Sequence, residues 1–375
     1  MRAICAPSAT QCGRAALRAW QTPRMSEFAA VDALTDLHYL WGSDAPTSLI
    51  DCPGLAQRAG VARVLIKAEW QRPFGNFKSL GGMFAGLRTL ARHCGATSLV
   101  ALLRDMPSTR SLPRLICASD GNHGLAIAAA AQRAATGCSI YLPHGVEHAR
   151  IARIKAQGAM VVSVCGTYDD AVVAAENAAL RGEGLLVPDT SADPRSVAVR
   201  DVMTGYSRIT TELVGQFRAL GELPTHVLVQ AGVGGLAAAV VRGLKPHVHE
   251  FCQWIAVEPA NAACVGLALA LGHPQRVDGT LETSARMLSC GLVSAAALEI
   301  LQAAGASAMA VDEAELESAV AELHALTGID TTPSGAAGVA GLLRISACEA
   351  RRGAHGLGMQ SVVLLLVTEG RTPLP

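Results

Sequence analysis

The chain has 375 residues, of which 50% are hydrophobic and 17% charged, and its 31 basic residues balance 31 acidic ones. That length exceeds what one compact core usually holds and favours two lobes or one large α/β domain, and the composition is that of a packed globular body, which excludes a small module and a disordered chain. Zero formal net charge without a basic stripe argues against a nucleic-acid partner, and the lack of any run of eighteen apolar residues argues against a membrane span.

Residues 1–24 contain several arginines, no acidic residue and no long apolar core, so they read as a disordered N-terminal extension rather than a secretory signal, with Met25 able to begin a normal chain. Eleven cysteines without a C-x-x-C pair fit reduced thiols, so the chain reads as soluble and cytoplasmic, without a metal site. Residues 32–41 predict a helix and 61–69 a strand. A turn over 75–77 leads into a helix over 79–94 with Leu80, Phe84, Leu87 and Leu90 at helical spacing, where Gly81 and Gly82 leave the first turn open to close approach. Strands at 115–118, 139–142, 160–164 and 185–187 then alternate with helices at 124–134, 149–157 and 169–180. A second series follows: helix 202–220, strand 225–230, helix 236–244, strand 254–258 and a helix after Asn261. Residues 274–294 read as irregular, 312–327 as an amphipathic helix and 361–367 as a buried strand. This alternation predicts an α/β fold with two parallel sheets flanked by helices.

Only four lysines exist, Lys67, Lys78, Lys155 and Lys245. Lys78 stands at a helix start behind Phe77, where backbone N–H groups and an apolar neighbour would depress an amine pKa and favour a Schiff base; a surface lysine is the plain alternative. The turn Gly232-Val233-Gly234-Gly235-Leu236-Ala237 joins a strand to a helix and can aim backbone N–H groups at a phosphate. As G-x-G-x-x-A with Glu258 some twenty residues later it also imitates a dinucleotide turn, and a purely structural turn stays open. Asp120-Gly121-Asn122-His123-Gly124 places a carboxylate, an amide and an imidazole at another strand end, or simply caps a helix. Asp189 in Pro188-Asp189-Thr190 and the closing Thr368-Glu369-Gly370 are two further strand ends, each with an ordinary loop reading.

Taken in order, Phe77-Lys78, Asp120-Gly121-Asn122-His123-Gly124, Gly232-Val233-Gly234-Gly235 and Thr368-Glu369-Gly370 resemble the motif series of the fold-type II pyridoxal-phosphate enzymes, over about residues 45–372. Within that superfamily the Asp-Gly-Asn-His-Gly form, Pro188-Asp189-Thr190 and Thr-Glu-Gly are most similar to the diaminopropionate ammonia-lyases. The resemblance implies a two-domain, tryptophan synthase β-like fold. Residues 25–85 and 206–375 would form a large cofactor-binding domain and 86–205 a small one, in a homodimer acting on a small amino acid. It implies that Lys78 carries pyridoxal 5'-phosphate as a Schiff base, that Phe77 lies beside it, and that Asn122 meets the phenolic oxygen. Gly232, Val233, Gly234, Gly235 and Leu236 would bind the phosphate and Thr368 would face the ring nitrogen, whose neutral partner suits β-elimination over transamination. Asp120 and Asp189 would abstract the α-proton from opposite faces, so that D and L substrate both yield pyruvate and ammonia.

Two segments depart from the family pattern. Thr331-Thr332-Pro333-Ser334-Gly335 stands where a Ser-Gly-Glu-Ser-Gly-like run is common and is closer to dehydratases, and residues 285–291 match only loosely. Rival readings are therefore a threonine, serine or hydroxyaspartate dehydratase of the same fold and, more distantly, an NAD-dependent oxidoreductase using Gly232 to Ala237 with Glu258.

Overall fold

A computed structural model describes residues 33–42, 45–105, 111–119 and 121–371. Residues 1–24, read above as an extension, and Asp120, read as a base, lie outside the described residues.

Two sheets organise the fold. The larger has six strands in the order β1 (Leu49–Asp51), β2 (Arg63–Ala68), β10 (Val362–Val367), β7 (His226–Gln230), β8 (Gln253–Pro259), β9 (Ser307–Val311), and only β1 runs antiparallel. The run VVLLLV of β10 is buried along its whole length, as a parallel strand covered on both faces requires. Leu364 of β10 pairs with Leu65 of β2 on one side and with Val227 of β7 on the other. The smaller sheet is wholly parallel, in the order β5 (Met160–Val164), β4 (Cys138–Pro143), β3 (Leu115–Ala118), β6 (Leu185–Leu186).

Helices α3 (Lys78–Cys94), α4 (Asn122–Arg133) and α7 (Val197–Leu220) join the sheets into one core, in which Leu65, Phe84, Leu115 and Val227 belong to a single apolar cluster. The approach to α3 foreseen at Gly81 and Gly82 is made by these helices. A Cβ on Gly81 would fall 2.4 Å from the Tyr206 ring of α7, and one on Gly82 would fall 2.5 Å from Ala126 Cβ of α4. The first turn of α3, with Lys78 at its head, is thereby held between the two sheets. Among the described residues, no helix is long and apolar enough to cross a membrane.

Candidate active site

Between β2 and α3 the chain makes two 3-10 turns, Glu69–Gln71 and Pro73–Gly75, with Phe74 in the left-handed region at φ 65°. A phenylalanine there is strained, and its carbonyl is secured by Arg153 Nη2 at 2.6 Å and Asn76 Nδ2 at 3.0 Å. Behind the turn lies a buried ionic cluster. Arg72 Nη2 meets Glu212 Oε2 at 2.7 Å and Arg72 Nε meets Glu69 Oε2 at 2.9 Å. Lys67 Nζ donates to Glu212 Oε2 and Thr47 O, both at 2.7 Å, and to Gln216 Oε1 at 3.1 Å. Burial would raise the Glu212 carboxyl, but Arg72 and Lys67 hold it down at about 2.

Lys78 points its amine at Asp189, with 2.6 Å between Nζ and Oδ2, and Tyr168 donates its hydroxyl to Oδ1 of the same carboxylate at 2.8 Å. Burial alone would raise the Asp189 carboxyl; the Lys78 and His123 charges nearby, with the Lys78 and Tyr168 hydrogen bonds, hold it well below the usual carboxylate range. His123 is buried, its Nε2 is 3.0 Å from Val187 O, and burial lowers its pKa. Asp189 is thereby favoured as a carboxylate beside the lysine amine.

Opposite, α8 (Gly235–Leu244) starts directly after the glycine turn. Gly234 is its N-cap at φ 86°, no side chain caps it, and its first turn contains no acidic residue. The first-turn N–H groups of such a helix suit an anion. A Cβ on Gly234 would meet Ala297 Cβ at 3.3 Å in addition to the left-handed strain, and Cys264 Sγ fixes the turn by donating to Gly232 O at 3.3 Å.

The last strand supplies a third wall. Gln230, the polar residue ending β7, donates from Nε2 to Thr368 Oγ1 at 2.9 Å. The same Nε2 is also within reach of the Gly335 and Leu366 carbonyls, at 2.9 and 3.0 Å, and a hydroxyl both accepts and donates, so Thr368 can offer its proton into the cleft that it lines. Glu369 accepts from Asn122 Nδ2 and from Thr332 Oγ1, each at 2.5 Å.

Ten sequence-predicted residues, Phe77, Lys78, Asn122, Asp189, Gly232, Val233, Gly234, Gly235, Leu236 and Thr368, line one cleft. Tyr168, Tyr206, Gln230 and Glu369 also line it and carried no assigned role in the sequence reading. Tyr168 had a signal: it is the first residue of α6 (Tyr168–Leu180), inside the capping box formed by Thr167 and Asp170, which fixes the start of the helix. The loosely matching segment contributes Met287, Leu288 and Cys290 to the cleft. From the small-sheet side Arg150 Nη1 meets Met287 Sδ at 2.8 Å, Glu147 meets Arg286 at 3.0 Å, and Asp169 pairs with Arg276. The dinucleotide reading is corrected by Glu258. Its carboxylate is fully buried and accepts from Val265 N at 2.7 Å and Gly266 N at 2.8 Å, so it anchors α9 (Cys264–Leu271) and is unavailable to a ribose.

The model of the family described as pyridoxal-phosphate dependent enzyme matches residues 40–369. The Escherichia coli diaminopropionate ammonia-lyase is 30% identical over 340 residues, 87% of this chain and 85% of that one. A human serine dehydratase-like protein is 28% identical over 278 residues, 74% of this chain and 75% of its own. The crystal structure of the holo Escherichia coli lyase superposes with a TM-score of 0.81 at 28% identity, covering 91% of this chain and 88% of that one. With its lysine, glycine turn and strand-end threonine on one cleft, the chain belongs to the pyridoxal-phosphate-dependent enzyme family.

Proposed function

We propose that the protein is an ammonia-lyase that eliminates the β-amino group of 2,3-diaminopropionate, consuming one water and releasing pyruvate and two molecules of ammonia. The observation that carries the reading is the buried, ionised Asp189 joined to the Lys78 amine and the Tyr168 hydroxyl in the cleft. The residues present fit the cofactor: an uncapped helix start for its phosphate, a lysine amine for its carbonyl, and a threonine hydroxyl with a proton to give for its ring nitrogen. Lys78 would hold it covalently, with Phe77, Asn122, Gly232 to Leu236 and Thr368 around it. When bound, pyridoxal phosphate supplies an electron sink for the pair released at the α-carbon.

The protein's own groups do the rest. Asp189 takes the α-proton on its face of the substrate, and Tyr168 steadies the carboxylate for that transfer. Lys78, 2.6 Å from Asp189, is placed to pass a proton to the departing β-amine. Asp120 is proposed as the base for the opposite face, which would admit both enantiomers. The cross-cleft contacts of Arg150, Glu147 and Asp169 would close the two sides of the cleft on each other during the elimination, and the released aminoacrylate would take up the one water afterwards. The same reading makes the chain a cytoplasmic homodimer whose larger domain is 25–85 with 206–375 and whose smaller one is 86–205; light scattering checks the dimer.

Keto-acid release by the loaded enzyme from D- and L-diaminopropionate, D- and L-serine, L-threonine and hydroxyaspartate tests the proposal. Pyruvate from both diaminopropionate enantiomers, and little from the hydroxy acids, is the expected result. Turnover of hydroxy acids alone would instead support the dehydratase that Thr331 to Gly335 resembles. Asp120→Asn that left both enantiomers equally active would remove the two-base arrangement.

A further inference from the structure

We propose that Glu369 is a positioning residue that fixes which face of the Asn122 amide is presented to the cofactor. The inference rests on the cofactor assignment above. Glu369 is 7% exposed and is clamped from three directions. Its backbone forms a bridge with Asn76, two residues before Lys78, and the adjacent Gly370 bridges Thr331. Thr331 Oγ1 donates to the Glu369 carbonyl at 2.5 Å. Thr332 Oγ1 donates to Oε1 while itself accepting from Gly335 N at 3.1 Å, as the cap of α12 (Pro333–Ser346), so that hydroxyl cannot turn away. The carboxylate is thus oriented before Asn122 meets it.

Oε2 then reads Asn122. A carboxylate only accepts hydrogen bonds, so the amide must offer it nitrogen and never oxygen. The second N–H of that same nitrogen is left as a donor, and Asn122 lines the cleft. A donor suits a phenolic oxygen in its ionised form; an amide turned the other way would set its own oxygen against it. Glu369 therefore acts on the cofactor through Asn122. The device also gives Thr332 a purpose: of the three residues that depart from the related segment at 331–335, it is the one whose side chain orients the carboxylate.

The test is the pH midpoint of the visible absorption of the bound cofactor, with its dissociation constant, in Glu369→Gln, Asn122→Ala and the double variant. Glutamine can offer nitrogen, so Asn122 is freed to reverse. Glu369→Gln is expected to raise the midpoint and weaken cofactor binding about tenfold in the native background, and to do nothing further in the Asn122→Ala background. Equal shifts in both backgrounds would overturn the proposal, since Glu369 would then act by its charge alone. Thr332→Val gives a second arm should Glu369→Gln not fold: a smaller shift in the same direction, again absent when Asn122 is alanine, is expected, and an unchanged midpoint would overturn the proposal. A native protein that takes up the cofactor with no visible band would overturn the cofactor assignment itself and leave the Asn122–Glu369 contact as structure only.

Discussion

Two lysine–carboxylate pairs have their lysines eleven residues apart, and they do different work. Lys67 is fully buried and donates to a carboxylate, a carbonyl and an amide oxygen, the whole donor capacity of an ammonium. Lys78 is 17% exposed, shares Asp189 with Tyr168, and opens onto the cleft. The pairings are equally short, 2.7 and 2.6 Å, so distance does not separate structure from chemistry. What separates them is placement: one amine is enclosed by the fold and the other lines the cleft.

The sharpest way to break this contrast is to exchange the effects of the two lysines. Lys78→Ala should cost at least ~10³-fold in turnover and abolish the visible band of the loaded enzyme, with its circular dichroism retained. Lys67→Met should lower Tm and keep the band; a Lys67 variant that lost the band at unchanged Tm would reverse the assignment. Next in size is Glu212→Gln, which leaves Arg72 and Lys67 short of a buried counter-charge and should destabilise by roughly 3–5 kcal/mol in urea at pH 7. The native state holds Glu212 at about 2 against its usual 4.5. Its contribution is therefore complete above about pH 4.5 and is lost as pH falls toward 2, so the difference between native and variant should shrink across that window.

Smaller effects sharpen the picture at the other wall. Gly234→Ala forces a side chain to φ 86° with Ala297 at 3.3 Å, and should cost about 1–2 kcal/mol of stability while weakening phosphate binding, as read by cofactor titration. The smallest effect belongs to Glu258, where burial pushes the carboxyl up to about 8 against the two backbone N–H groups that favour its charge. Its contribution to stability is full below about pH 4.5 and is lost as pH rises through about 8. Glu258→Gln should flatten that decline, by on the order of 1 kcal/mol between pH 6 and 9, measured by urea unfolding.

Where an element is specified by its own residues, the sequence was legible. Leu115–Ala118 and Met160–Val164 are strands at the expected residues, because each is a short apolar run set off from the helix that follows. The helix Pro333–Ser346 was missed: Pro333, Gly335, Gly338 and Gly341 are poor helix formers, yet the helix is held by burying Ala336, Ala337, Val339, Ala340 and Leu342 on the larger sheet. Tertiary packing overrides propensity there. Strand β1 is three residues long and antiparallel, too short to show a period. At the site, lysine, glycines and strand-end polar residues were visible because each sits at a break in pattern. Glu258 misled because a strand-end acid before a helix has the same sequence look whether it binds a ribose or the helix itself. Tyr168, Gln230 and Glu369 act on partners 21, 138 and 247 residues away, and no local pattern encodes such pairings.

The position of β10 has a consequence for biosynthesis. The last strand of the chain lies inside the larger sheet, between β2 and β7, and it carries Thr368 and Glu369 at its end. Everything needed for the smaller sheet leaves the ribosome by Leu186, so that sheet can assemble early. The larger one has a gap at its middle until Val367 emerges, and Lys78 waits for its opposite wall through nearly three hundred residues of translation. A nascent chain stalled before Val362 should therefore resist protease in its small-sheet segment and bind no cofactor, so a useful cleft would come into being only once β10 has emerged.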